Sequence, residues 1–209
     1  MSKITLNKTF RSWLELWESL SADLNTMLTE LYSPNTLSAP LVTTPVSTVV
    51  VTEYGDGKDM TTILTLTDFI VGALAGTAAA LAMGNIVAAF PTGAHIEDTF
   101  FQSLSLKCAG TAVNSDTGLG SVTGSGVQSV LSGVGATSED RLTGQTVPTA
   151  AAGGAVTVAL VRAAVAGISL NVAASIKNVF LNSAGTWNAN NTGNLTATGT
   201  IVIKWNKIA

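Results

Sequence analysis

The chain has 209 residues, of which only 11% are charged, and its net charge is −3. Soluble domains usually carry about 25% charged residues, so this neutral surface is poorly protected against association. We therefore expect a protein that works inside an assembly, the alternative being a monomer with a neutral, threonine-rich surface. Lys and Arg are scattered singly, which argues against a nucleic-acid groove. The single cysteine, Cys108, excludes a disulfide-stabilised scaffold.

The first segment with a clear pattern is residues 6–31, where apolar residues recur at alternating steps of four and three. This spacing predicts an amphipathic helix with one apolar seam. The helix is expected to end at Ser33-Pro34-Asn35, because proline drives the residue before it toward extended backbone. The seam residues are Leu6, Phe10, Trp13, Trp17, Leu20, Leu24, Met27 and Leu31.

The seam includes two indoles four residues apart, Trp13 and Trp17, which favour burial against a fixed surface. Three alternatives are open: packing on the chain's own β domain, a coiled coil with other copies, or anchoring on another protein. The apolar face is wider than a two-residue seam, which argues against a simple dimeric coiled coil. Exposed apolar faces of this size are rare on monomers, so we predict that a neighbouring chain covers the seam.

The segment after the helix is predicted to be an extended arm. Residues 34–46 contain Pro34, Pro40 and Pro45, which are incompatible with a central strand. Residues 47–209 are rich in Val, Thr and Gly and predict a β domain. The predicted organisation is therefore a helix over residues 1–33, a linker arm over 34–46 and a β domain over 47–209.

Alternating apolar and polar residues predict about eight or nine strands in the β domain. The regular final strand places Leu195, Ala197, Gly199, Ile201, Ile203 and Trp205 on one face, and the strand over 96–108 places Phe100, Gln102, Leu104, Leu106 and Cys108 together. Ten segments are candidates for these strands, namely 47–54, 60–66, 69–74, 85–90, 96–108, 127–134, 156–161, 168–172, 178–182 and 195–206, and loops are predicted at 110–126, 136–154 and 187–193. Their number and spacing favour a jelly-roll β-sandwich.

One segment of the β domain has a second interpretation. Residues 69–90 carry no charge and are long enough to span a bilayer as a helix. Their Gly72, Gly76 and Gly84 would weaken such a helix. Two strands with a Gly/Ala link are the preferred interpretation, and a membrane anchor is kept as an alternative.

The residues capable of chemistry do not form a catalytic pattern. His95 is the only histidine and has no nucleophile elbow near it. The adjacent carboxylates Glu97 and Asp98 point to opposite faces of a strand and cannot flank one groove. The turn at residues 56–59 lacks the oxygen ligands of a calcium loop. We therefore predict no enzyme activity, no metal and no cofactor.

Three stretches of the β domain resemble a known family. Residues 90–96 read FPTGAHI and resemble a strand-turn-strand motif, F-P-x-G-A-x-I, that recurs in virion proteins of tailed bacteriophages. Residues 130–138 and 195–205 resemble the matching loop and closing strand. The resemblance covers residues 47–206 and does not include the helix or the arm.

The resemblance implies a head decoration (cement) protein, made in the host cytoplasm and carried on the capsid surface. Its implied partners are the major capsid protein and further copies of itself, as a trimer, with no nucleic acid and no membrane. A tail or fibre protein that contacts a host glycan through the loops at 110–126 and 136–154 is the alternative, although these loops contain no aromatic cluster.

Overall fold

The computed structural model of the chain describes residues 41–56, 58–110, 113–150 and 178–207, together with Ser21. The chain divides into two units, Met1–Asn35 and Thr36–Ala209, and the second is the subject here. The predicted helix, with its seam from Leu6 to Leu31, lies outside the described residues apart from Ser21. The predicted strands at 156–161 and 168–172 also lie outside them, so all three stay predictions.

The described part of the second unit is mainly β, as the alternating patterns predicted. Its eight strands are β1 (Val49–Gly55), β2 (Asp59–Ala75), β3 (Ala79–Ala89), β4 (Ala94–Ala109), β5 (Val113–Gly120), β6 (Leu142–Ala150), β7 (Asn178–Trp187) and β8 (Thr192–Lys207). Two short 3₁₀ turns, Leu131–Gly133 and Ala136–Ser138, lie between β5 and β6.

The strands form two antiparallel sheets that are joined at one corner. Hydrogen bonds connect them in the order β1-β2-β8-β4-β6-β5-β7-β3. Every neighbouring pair is antiparallel except β4 and β6, which meet in parallel through two pairs, Leu106 with Thr149 and Lys107 with Ala150. This short junction separates the sheet β1-β2-β8-β4 from the sheet β6-β5-β7-β3.

Both sheets contribute side chains to one hydrophobic core. The face predicted for the final strand is confirmed, because Leu195, Ile201 and Ile203 of β8 are fully buried. Trp205 of β8 packs edge-on against Phe90, which follows β3, with ring centroids 5.6 Å apart. Removing these apolar surfaces from water is the main stabilising contribution to the domain.

The face predicted for β4 is wrong at two positions, Phe100, which is half-buried, and Gln102, which is exposed. The structure buries Phe101, whereas the alternation had placed Phe100 on the face of Leu104 and Leu106. A register shift between Phe101 and Ser103 adds one residue to β4 relative to β8. Such a bulge reverses the two-residue alternation, so the faces change at this point.

The interpretation of residues 110–154 is also corrected. β5 lies inside the predicted loop 110–126, and β6 lies inside the predicted loop 136–154. The predicted strand over 127–134 is loop apart from the 3₁₀ turn at Leu131–Gly133. β5 consists largely of turn-forming residues, but β6 and β7 pair with its two edges, and this tertiary context overrides its propensity.

Hydroxyl groups replace hydrophobic side chains in the interior around β5. Ser115 Oγ lies 3.1 Å from Thr117 Oγ1, which lies 3.0 Å from Ser183 Oγ of β7. Ser115 Oγ also donates to the carbonyl of Val147 at 3.1 Å. All three hydroxyls are therefore satisfied although they are buried, which explains why β5 has no apolar alternation to detect.

Residues 69–90 form strands and not a helix. The end of β2, a turn at residues 76–78 and the whole of β3 occupy this segment. The two-strand interpretation is confirmed and that of a membrane-spanning helix is wrong. Among the described residues, no helix has the length and apolar character needed to cross a bilayer.

Candidate interaction surfaces

The segment that leads into β1 is fixed to the sheets by a buried carboxylate. Glu53 of β1 is 1% exposed. Its Oε2 accepts the backbone N–H of Val42 at 3.0 Å and also that of Leu41. Val42 itself is buried in the core, and Thr43 pairs with Ala89 at the end of β3. Residues 41–43 are therefore fixed by hydrogen bonds to Glu53, by burial of Val42 and by the backbone bridge to β3.

The same carboxylate continues into a chain of side-chain hydrogen bonds. Thr62 Oγ1 donates to Glu53 Oε1 at 2.7 Å, and the indole Nε1 of Trp205 donates to Thr62 Oγ1 at 2.8 Å. A buried carboxylate is tolerated when its oxygens are fully hydrogen-bonded. The chain residues that precede Leu41 therefore start from a fixed point on the domain.

The outer edge of β3 carries two isolated contacts. β3 is last in the strand order, so among the described strands only β7 pairs with it along its length. Thr43 bridges to Ala89 near one end, and Gly126 bridges to Ala82 nearer the other. The edge between these bridges is where the two surface features described next are found.

The first feature is a cleft of ≈ 330 Å³ beside the middle of β3, called the edge cleft here. Its lining residues are Pro45, Val46, Ser47, Thr48, Phe69, Ile70 and Asn85. The Asn85 amide donates to the Ile70 carbonyl at 3.0 Å and fastens β3 to β2 at this point. Among the described residues, none of those that line the cleft is charged.

Irregular backbone surrounds the edge cleft. β2 shifts register between Leu66 and Phe69 and again between Ile70 and Gly72, and β3 shifts between Ile86 and Ala88. Asp68 has a φ of +49°, the one positive φ among the described non-glycine residues. Bulges of this kind are over-represented beside functional surfaces, where they redirect side chains.

The second feature is the loop of residues 121–130, called the 121–130 loop here. It exposes three valines, Val122, Val127 and Val130, and Val127 is 77% exposed. No charged residue occurs between residues 117 and 138. The loop therefore presents aliphatic side chains with no charged residue near them in sequence.

The side chain of Asn182 in β7 holds the 121–130 loop in place by hydrogen bonds. This side chain is fully buried. Oδ1 accepts the Gly124 N–H at 2.7 Å, and Nδ2 donates to the carbonyls of Val122 at 2.9 Å and Ser138 at 2.6 Å. The loop is therefore preorganised, which reduces the entropy lost when it binds a partner.

Gly84 makes room for this arrangement. It pairs directly with Asn182 across β3 and β7. A Cβ atom at position 84 would overlap Oδ1 of Asn182, so only glycine leaves space for the amide. Thr123 Oγ1 donates to the Gly84 carbonyl at 2.9 Å and adds a further contact between β3 and the loop.

Each of the three charged residues before β6 makes its own separate contacts. The Asp140 carboxylate accepts the Ser121 N–H and hydroxyl, both at 2.7 Å, and Glu139 accepts the Gly144 N–H at 2.7 Å. Arg141 is almost completely buried, and its Nη1 lies 3.9 Å from Asp140. Nε and Nη1 of Arg141 have no hydrogen-bond partner. Burial lowers the pKa of this guanidinium, and the charge of Asp140 opposes that shift.

The residues weighed as catalytic candidates lie near the start of β4 and in the turn before β2. His95 of β4 is half-buried, and its buried Nδ1 has no hydrogen-bond partner among the described residues. Glu97 accepts the Asn206 amide at 2.8 Å, and Asp56 accepts the N–H groups of Lys58 and Asp59. In the described ranges, no three His, Cys, Asp or Glu side chains are grouped to hold a metal ion.

Cys108 lies in the core, where its thiol accepts the Asn191 amide at 3.6 Å. Burial raises the pKa of this thiol, so the less reactive protonated form is favoured. This placement fits the structural role expected for the residue.

No family model, no curated protein and no solved structure matches the chain. The predicted interface from Leu6 to Leu31 lies outside the described residues. The structure adds two features that the sequence did not indicate, namely the Glu53 contact and the loop held by Asn182. Both depend on single polar residues inside strands, for which no periodic signal exists.

Proposed function

We propose that this chain is a non-enzymatic structural protein of a tailed-bacteriophage particle, a head decoration protein that stabilises the capsid. In this proposal the apolar seam anchors on the major capsid protein, and the β domain associates with further copies. Apolar burial contributes about 25 cal/mol per Å², so many small contacts repeated around a shell add up to a large stabilisation.

The fixed start of the N-terminal segment is the observation that carries this proposal. Val42 is buried and the Glu53 carboxylate holds the backbone at residues 41 and 42. A segment used to connect two chains transmits force and orientation only when its attachment point is rigid. The low charge content supports the same function, because a neutral surface favours association.

We further propose that the two sheets are a jelly roll. Their antiparallel pairs are nested, since β5 pairs with β6, β3 with β7, and β2 with β8. Among the described strands, β4 pairs with β8 along one edge and meets β6 at only two residue pairs on the other, so most of that second edge remains for the segment between β6 and β7. The predicted strand at 156–161 would fill this place and complete the double Greek key.

Hydrogen exchange tests the jelly-roll assignment. If the predicted strand at 156–161 pairs with β4, amides of both segments exchange slowly, because ladder hydrogen bonds protect them. The reference is the same segment in the urea-unfolded chain, where no ladder protects it. Exchange at 156–161 as fast as in the unfolded chain would contradict the assignment.

The anchor is tested by changing both indoles in the full chain. We expect Trp13→Ala with Trp17→Ala to leave the circular dichroism of the β domain unchanged and to abolish incorporation into particles. Occupancy is measured on purified particles by gel densitometry. The matched control is Glu15→Ala with Glu18→Ala, since these residues lie off the seam. Normal occupancy of the double tryptophan variant would refute the anchor.

A further inference from the structure

We propose that the 121–130 loop of one copy inserts Val127 into the edge cleft of a second copy of this chain. This inference rests on the self-association part of the proposed function and names the surface responsible. It makes no use of the N-terminal seam, so the two can fail separately.

The two surfaces match in shape. Val127 is an aliphatic group that is 77% exposed, in a loop held by Asn182. The edge cleft encloses ≈ 330 Å³, near the lower limit of about 300–1,000 Å³ for ligand pockets, a size that suits one or two side chains. Its wall includes Ile70, which is 45% exposed and available for apolar contact.

The two surfaces also match in charge. Neither the cleft lining nor residues 117–138 include a charged side chain. Asp68, next to Phe69 in sequence, is charged but is exposed and outside the lining. Seating Val127 in the cleft therefore buries no charged side chain of the lining, a step that would cost several kcal/mol. Because the chain has few charged residues, the loop of one copy and the cleft of another are both neutral and can make an apolar contact.

Their positions make mutual contact possible. Gly126 of the loop bridges to Ala82 of β3, and Asn85 of the same strand lines the cleft. The protruding and receiving surfaces are thus three residues apart along one strand. Because both are fixed to β3, a neighbouring copy meets them in a defined geometry, and each copy can both give and receive a contact.

Cysteine cross-linking between two differently tagged full-length chains tests the contact. One chain carries Val127→Cys and the other Ile70→Cys, so a heterodimeric disulfide can form only between copies. The native Cys108 is buried and does not compete. A specific contact raises the local thiol concentration to the millimolar range, so we expect about tenfold more heterodimer than from a random surface pair.

The matched control replaces Val127→Cys by Val50→Cys, another exposed valine at 59% exposure, on β1. Each single variant alone reports the background of homodimeric disulfides. Heterodimer at the level of the Val50 control would overturn the proposal while leaving the seam anchor intact. A further chain combines Val127→Asp with Gln128→Cys. We expect Val127→Asp to suppress the cross-link between this chain and the Ile70→Cys chain.

Discussion

The carboxylate of Glu53 accepts the backbone N–H of Val42 at 3.0 Å, so a buried acidic group of β1 holds the residue at which the chain enters the core. The same side chain accepts the Thr62 hydroxyl at 2.7 Å. One residue therefore connects the entering segment, β1 and β2. This makes the stability of the domain and the fixing of its N-terminal segment dependent on the same group.

Glu53→Ala is expected to lower the free energy of unfolding by about 3 kcal/mol, because buried donors of Val42 and Thr62 lose their acceptor. Urea denaturation followed by circular dichroism measures the loss. Glu97→Ala is the control, since Glu97 is exposed and accepts one hydrogen bond, and it should change stability by less than about 0.5 kcal/mol. Equal losses in the two variants would contradict the role assigned to Glu53.

Asn182→Ala is expected to release the 121–130 loop and to cost about 3 kcal/mol, because three backbone groups, two of them in buried contacts, lose their partners. Hydrogen exchange at the Gly124 amide should accelerate more than exchange in the centre of β8. Asn178→Ala, at the exposed start of the same strand, is the matched control. An unchanged Gly124 exchange rate would show that the loop is held by other contacts.

Arg141→Met is expected to change the free energy of unfolding by less than about 2 kcal/mol, because Asp140 keeps its two hydrogen bonds from Ser121 when the guanidinium is removed. The guanidinium is buried with two nitrogen atoms unpartnered, so its desolvation is not offset by hydrogen bonds. Lys204→Met, at an exposed position of β8, controls for the loss of a positive charge. A loss above about 2 kcal/mol would mean that Arg141 makes a stabilising contact in solution.

Backbone hydrogen bonds from Asp59 and Lys58 hold the pKa of the Asp56 carboxyl below its ordinary value. Because the folded-state pKa is the lower one, the contribution to stability is present above the unfolded-state pKa and is lost as the pH falls through the folded-state pKa. Asp56→Asn should therefore be less stable than the native chain at neutral pH and equal to it at the acidic end. An NMR titration of Asp56 that gave a pKa at or above 3.8 would contradict this.

The strands with simple alternation could be predicted from the sequence. β8 exposes Thr198 and Lys204 and buries Leu195 and Ile201, and this regular pattern is preserved because β8 is central in its sheet. In β4 the same reasoning fails at Phe101, where a bulge exchanges the two faces. A bulge arises from pairing with another strand, so it cannot be predicted from the local sequence.

β5 and the 121–130 loop show the opposite error. β5 has the composition of a loop, yet its hydroxyls bond to those of β7 inside the domain. The segment with Val127 and Val130 has the composition of a strand, yet it is exposed loop. Both assignments depend on partners distant in sequence, so propensity alone assigned them wrongly. The seam from Leu6 to Leu31 lies outside the described residues and stays a prediction.

The pairing of Gly84 with Asn182 has a consequence for how this chain can vary. Any residue larger than glycine at position 84 displaces the Asn182 amide. Any residue without an amide at position 182 loses the hydrogen bonds to the 121–130 loop. Whichever of the two residues changes first, the resulting chain has lost the contact that holds the 121–130 loop. Two successive single substitutions therefore pass through a chain in which the loop is no longer held. We expect chains that descend from this one to keep both residues or to exchange both together, along with the contact surface that they support.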